Sequence, residues 1–263
     1  MKKRTLSLSL LAFVVLSAFS FSGTLASEGW LAQILLPEGS AKYDYTIDVT
    51  NKRFEPAGST SRETQSTQMK FEILAMLQEQ SDKTIDVEVS AYHIVVEQKL
   101  GSITQFYDSY SATHTGVAER LHESLQPVLE SKSNVKVNAS GKILSGPESE
   151  DPTGSLNNLV EGLFFDFPTA ELKSGDSWVV QRGGETPNPV TMVLVEESRK
   201  VAITEYKMST VDSSSGSELT INTYGIISFE KETGMIQSYE ENQEYLTAEG
   251  VKLGTILTKI SRN

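Results

Sequence analysis

Apolar and polar side chains alternate with a period of two from residue 43 almost to the C-terminus, and a chain patterned in this way has few folds open to it. Tyr43, Tyr45, Ile47 and Val49 interleave with Asp44, Thr46, Asp48 and Thr50. Met69, Phe71, Ile73, Ala75 and Leu77 make a second apolar face, and Ile85, Val87, Val89, Ala91 and Val95 a third, with His93 in the same parity. Further strands are predicted over residues 134–138, 142–144, 177–181, 190–196, 201–208, 218–229, 235–245 and 251–260. Successive side chains of a strand point to opposite faces. Alternation of this kind therefore predicts antiparallel strands with one face in water and the other against a core.

Two segments change period. In residues 115–130, Val117, Leu121, Leu125 and Val128 lie on one helical stripe, and Pro127 is expected to kink or end that helix. Leu156, Leu159, Val160, Leu163 and Phe164 follow the i, i+3, i+4, i+7, i+8 pattern, which predicts a helix over 152–166. Asp151-Pro152 supplies an N-cap and a first helical residue, and Phe167-Pro168 ends the element. Lys173-Ser-Gly-Asp then makes a turn, and Trp178 opens the next strand and packs back on the helix. Gly141-Lys-Ile-Leu-Ser and Gly234-Met-Ile-Gln-Ser share Gly-x-Ile-x-Ser, each after a polar turn. This fits a hairpin used twice, and two pseudo-repeated halves at about 40–150 and 170–263 joined by the 152–166 helix. Residues 52–67, 145–154 and 211–216, rich in Gly, Ser, Pro or charge, are expected to be mobile loops.

The N-terminus has the form of an export signal. Lys2, Lys3 and Arg4 precede an apolar run from Leu6 to Phe21, and Thr24-Leu25-Ala26 offers small residues for cleavage before Ser27. The run falls short of the roughly 20 apolar residues of a spanning helix, so no membrane span is expected after cleavage. Removing residues 1–26 leaves a single β-rich domain, 27–263; Lys and Arg fall from 23 to 20 against 35 acids, a net charge of −15. Such acidity speaks against a nucleic-acid partner or an anionic membrane surface. With no cysteine, the chain has neither disulfides nor the thioether anchor of bacterial lipoproteins.

Chemistry is sparse. His93 reads as a core or edge histidine with a satisfied hydrogen bond. Glu119, His122 and Glu123 are close on a helix, but a solvated amphipathic face accounts for them as well as a metal does. There is no Gly-x-Ser-x-Gly elbow, Ser133-Asn-Val-Lys136 lacks its partner motifs, and no glycine-rich phosphate loop follows a strand. No catalytic residue, cofactor or metal is predicted. The residues with most to say are apolar: Phe71, Ile73, Tyr92, Ile94, Phe106, Leu159, Leu163, Phe164, Phe167 and Trp178, which a curved sheet wrapped on a short helix would bury. Leu159, Leu163, Phe164, Phe167 and Trp178 are the candidates for an apolar ligand site, against the plainer reading of core packing.

Gly39-Ser-Ala-Lys-Tyr43, Gln68-Met69 and Phe167-Pro168 followed by Gly175-Asp-Ser-Trp178 resemble an uncharacterised family of exported bacterial proteins, a domain of unknown function. The resemblance spans most of the chain after the signal and implies no catalytic residues. At the level of architecture the chain is similar to the periplasmic lipoprotein carriers, whose incomplete antiparallel barrel encloses an apolar cavity covered by helices. The expectation is a mainly β protein: a curved antiparallel sheet or open barrel with one or two short helices on its concave side. Its expected role is that of a non-catalytic, periplasmic or secreted carrier of an apolar ligand such as a lipid or acyl chain. The alternative is a structural or interaction module that meets an envelope protein.

Overall fold

A computed structural model describes residues 29–57, 60–149, 154–182, 188–212 and 218–263. The expected signal and its cleavage site lie outside these residues, as do the Asp151-Pro152 cap and most of the loop after residue 212. Twelve strands form one antiparallel sheet: β1 (Ser40–Ala57), β2 (Thr60–Glu79), β3 (Ile85–Leu100), β4 (Ile103–Asp108), β5 (Lys132–Val137), β6 (Ile143–Ser149), β7 (Ser177–Arg182), β8 (Asn188–Glu197), β9 (Val201–Asp212), β10 (Leu219–Glu230), β11 (Ile236–Thr247) and β12 (Lys252–Arg262). Two short helices, α1 (Val117–Glu130) and α2 (Ser155–Glu161), complete it. The strand order is β6-β5-β3-β2-β1-β12-β11-β10-β9-β8-β7, with β4 paired on β3, so the sheet is open and not closed.

This order follows from local hairpins and one long return. The chain meanders outward from β1 to the edge at β6, crosses to the opposite edge at β7, and meanders back until β12 pairs with β1, Ile47 facing Ile260. The crossing runs through α2 and residues 162–176 and lies on the inner face together with residues 29–36. A bridge joins the two segments, Trp30 to Leu172, and Ile34 N–H donates to the Ala139 carbonyl (2.7 Å) and Phe167 N–H to the Ser140 carbonyl (2.7 Å). Trp30, Phe165, Phe167, Phe229 and Tyr239 meet there, with ring centroids 5.0–6.2 Å apart. Edge and tilted contacts at such distances add to the large area each ring buries.

Several expectations are corrected. Of residues 52–67, read as a mobile loop, 52–57 belong to β1 and 60–67 to β2; residues 145–149 and 211–212 are likewise strand. β4 is a strand without an alternating apolar signal. The first helix runs through Pro127 and ends three residues later at Glu130. The second ends at Glu161: Leu163 and Phe164 continue its apolar stripe in sequence, but Leu163 lies in the closing turn, its N–H on the Val160 carbonyl (3.0 Å), and Phe164 in irregular chain. A β-bulge between Glu72 and Ile73, paired to His93 and Ala91, moves the β3 parity by one residue. It buries Ile94 and Val96 and turns His93 to the outer face, away from the apolar one. Tyr92 and Phe106, expected in the core, are exposed by 40% and 57%.

Charge pairs pin the end of the sheet where the chain terminates. Arg262 on β12 donates to Glu230 on β10 (3.0 Å), and Thr233 donates to the same carboxylate (2.7 Å). The Arg262 hydrogen bond, then that of Thr233, hold the Glu230 carboxyl below its ordinary value of 4.5 against the opposing effect of burial. A carboxyl depressed in the fold stabilises it above its unfolded value and loses that contribution as pH falls through the folded value. Glu72, held down by Lys70, acts in the same sense. The urea midpoint is therefore expected to fall below about pH 4.5, and Glu230→Gln to flatten that fall; an unchanged slope in the variant would refute the assignment.

Tyr45 lies beside this cluster, fully buried, and its hydroxyl has no hydrogen-bond partner. Burial pushes its ionisation upward. A buried, unpartnered hydroxyl costs about 1–3 kcal/mol. Tyr45→Phe is therefore expected to leave the melting temperature unchanged or raise it, and a clear drop would show a partner for that hydroxyl.

Candidate functional site

The inner face outlasts its cover. β1, β2 and β3 are 18, 20 and 16 residues long, far beyond the common five or six, and side-chain exposure rises along each. On β1, Tyr45 and Ile47 are buried, Val49 and Asn51 half-buried and Arg53 exposed. On β2 the series runs from Phe71 through Met69 to Thr67 and Gln65, and on β11 from Tyr239 through Glu241 to Gln243 and Tyr245.

The strand register arranges these side chains in rows across the sheet. One row is all core: Leu194, Thr204, Ile227, Tyr239, Ile260, Ile47, Phe71 and Ile94. The next is the boundary row, in which Tyr206, Gly225, Glu241, Thr258, Val49 and Met69 are successive partners. The third is mostly polar and, apart from the buried Thr223, half-exposed: Met208, Thr223, Gln243, Ile256, Asn51, Thr67 and Gln98, ending on Gln105 of β4.

The boundary row has a built centre. The Tyr206 ring reaches from β9 across β10, where only the absence of a side chain at Gly225 leaves it room. Its hydroxyl lies 2.8 Å from that of Tyr239 and donates to the Glu241 carboxylate. Tyr239 donates to the same carboxylate oxygen (2.7 Å), Gln243 to the other (2.9 Å), and Tyr245 to the Gln243 carbonyl (2.8 Å). Burial, and then the Glu241 charge, raise the ionisation of Tyr245. The network fixes a carboxylate on the inner face, where core gives way to open sheet. On the outer face Glu240 and Glu244 pair instead with Lys259 (2.9 Å) and Lys252 (2.6 Å).

Of the residues proposed from sequence, Leu163, Phe164, Phe167 and Trp178 are buried in the core, and Leu159 is half-buried against it. Phe167 and Trp178 touch, at 6.5 Å between ring centroids. None of the five lines either of the two grooves found on the sheet. The larger, about 870 Å³, crosses β1, β2, β3, β5 and β6 on the side opposite the core and includes the Lys136–Asp86 pair (3.5 Å); the smaller, about 390 Å³, lies on β9–β11 near Tyr224 and Asn242. Both are solvated and charged, as an outer sheet face is. The rows described above were missed because strand pairing across the sheet, not local pattern, brings them together.

All three histidines gather around β4 and α1. His93 lies between Glu72 (3.1 Å) and Asp108 (3.0 Å) and stacks on Tyr110. His122 faces the Tyr107 hydroxyl (3.3 Å) and stacks on His114 (4.4 Å), away from Glu119 and Glu123, which are exposed. Among the described residues no group of three metal-ligating side chains forms, and no helix is long and apolar enough to cross a membrane.

Fold and site together define an open antiparallel β protein whose inner face, among the described residues, is strapped and filled at one end and more exposed at the other. No family model matches the chain, and no curated protein matches it. Among solved structures, an outer membrane channel from Pseudomonas putida F1 aligns over 88% of this chain and 97% of that chain, with 9% identity and a TM-score of 0.21. A likeness that slight bears on neither fold nor function.

Proposed function

We propose that the protein is an exported, non-catalytic binding protein that holds an amphipathic ligand, a lipid or another acyl-chain compound, on the bare end of the inner face. The observation that carries this reading is the rise in exposure along the inner face of its longest strands. Val49, Met69 and Met208 pack at the edge of the core and Ile221 and Ile256 lie half-buried beyond it, and the apolar area that the described residues leave in water is a gain in free energy open to a ligand, at roughly 25 cal/mol per Å². The N-terminal export pattern and the resemblance to exported bacterial proteins support a periplasmic or secreted setting. Leu159, Leu163, Phe164, Phe167 and Trp178 act in this reading as the packed floor that holds the sheet in shape.

Native mass spectrometry of the purified protein, with organic extraction, tests the proposal. A co-purified lipid, or a fluorescence rise on adding an environment-sensitive acyl probe that Met69→Asp abolishes, is the expected result. No extractable lipid and no probe response, with an envelope protein retained on the immobilised chain, would replace it with the interaction-module reading.

A further inference from the structure

We infer that the polar end of the ligand is an uncharged, hydroxyl-rich group of the glycosyl type and not an anionic phosphate. This rests on the reading of the bare inner face as the binding surface, and it is drawn from the open polar row and the boundary row beside it. Asn51, Thr67, Gln98, Gln105, Thr223 and Gln243 share the open row, Thr223 buried and the other five half-exposed, brought level by the pairing of β1, β2, β3, β4, β10 and β11. Four of these six are carboxamides, which both donate and accept and so match vicinal hydroxyls. Among the described residues Asn51 and Gln105 make no side-chain hydrogen bond, and Gln98 reaches Thr67 only at 3.5 Å.

Charge decides which polar head this row receives. Neither row contains a lysine or arginine; the one carboxylate there is Glu241, held in place by Tyr206, Tyr239 and Gln243. Arg53 lies one row further out, exposed at the rim. A phosphate seated on the open row would lie next to the Glu241 carboxylate, held by its hydrogen bonds, with only the solvent-exposed Arg53 one row out on the other side. A carboxylate in a partly desolvated site disfavours a second anion strongly. Hydroxyls meet no such penalty, and the Glu241 oxygens accept from them as they do from the two tyrosines.

Three probes with the same ten-carbon chain separate the possibilities, each titrated below its micelle concentration by isothermal calorimetry: decyl maltoside, decyl phosphate and decyltrimethylammonium. The maltoside is expected to bind at least about tenfold more tightly than the phosphate, the amount that two net hydrogen bonds supply. Asn51→Leu combined with Gln98→Leu is expected to erase that preference. Glu241→Gln is expected to improve decyl phosphate binding. Equal affinity for all three probes would overturn the inference and leave the binding surface standing; a preference for the ammonium that Glu241→Gln removes would overturn it in favour of a cationic head. Binding of none of them would remove the surface itself.

Discussion

Gly234→Ala and Gly141→Ala are each expected to lower stability by about 3 kcal/mol or more, a large share of what holds a domain of this size together. Both glycines have left-handed backbone, φ 70° and 81°, where a Cβ costs roughly 1–2 kcal/mol by itself. Both also lie directly beneath a strap. A Cβ at Gly234 would overlap the Gln33 carbonyl, and one at Gly141 the Phe165 carbonyl. Backbone cannot rotate aside as a side chain can, so the substitution must lift the strap. Lifting it would release the bonds from Leu35 N–H to the Thr233 carbonyl (3.0 Å) and from Phe167 N–H to the Ser140 carbonyl. Gly250→Ala is the control: φ 79° with nothing near the new methyl. Urea midpoints of the three variants measure the difference, and equal losses would show that the strap contacts contribute nothing.

Phe229→Ala should cost about 3–5 kcal/mol. The side chain is buried where β10 meets both straps, with ring centroids 5.0 Å from Phe167, 5.7 Å from Trp30 and 5.8 Å from Phe165. Three rings from the two straps converge on it, so no single neighbour can collapse into the space it leaves. A loss below about 1.5 kcal/mol would mean that the straps close over the gap. Because the straps hold the core end and a ligand is proposed for the bare end, Phe229→Ala at moderate temperature is expected to weaken probe binding less than Met69→Asp does.

The sheet was legible in the sequence wherever one face is fully covered. Tyr45 and Ile47, Phe71 to Leu77, and Ile227 and Phe229 alternate because each second side chain must avoid water. Legibility failed where that rule stops. Residues 60–67 and 103–108 are strands with polar side chains on both faces, so no alternation marks them. A bulge inverted the reading at His93, since one extra residue exchanges the two faces and leaves no trace in composition. Leu163 and Phe164 carried the right message, burial, but not the right element: periodicity cannot tell a helical stripe from irregular chain whose side chains sink into the same core.

The candidate site was less legible still. Asn51, Gln98 and Gln243 are unremarkable polar residues far apart in sequence, and each alone reads as a wet strand position. Composition and local pattern were enough to determine an acidic, cysteine-free chain of antiparallel strands with one or two short helices, because solvation and backbone geometry act on neighbours a few residues apart. Only the tertiary structure decided that β12 returns to β1, that the crossing covers one end of the inner face and not the other, and that a carboxylate held by two tyrosines lies beside a row of carboxamides. Those outcomes depend on contacts between residues as far apart as Ile47 and Ile260, whose pairing is selected by the fit of the whole sheet and its straps and by no short stretch of chain.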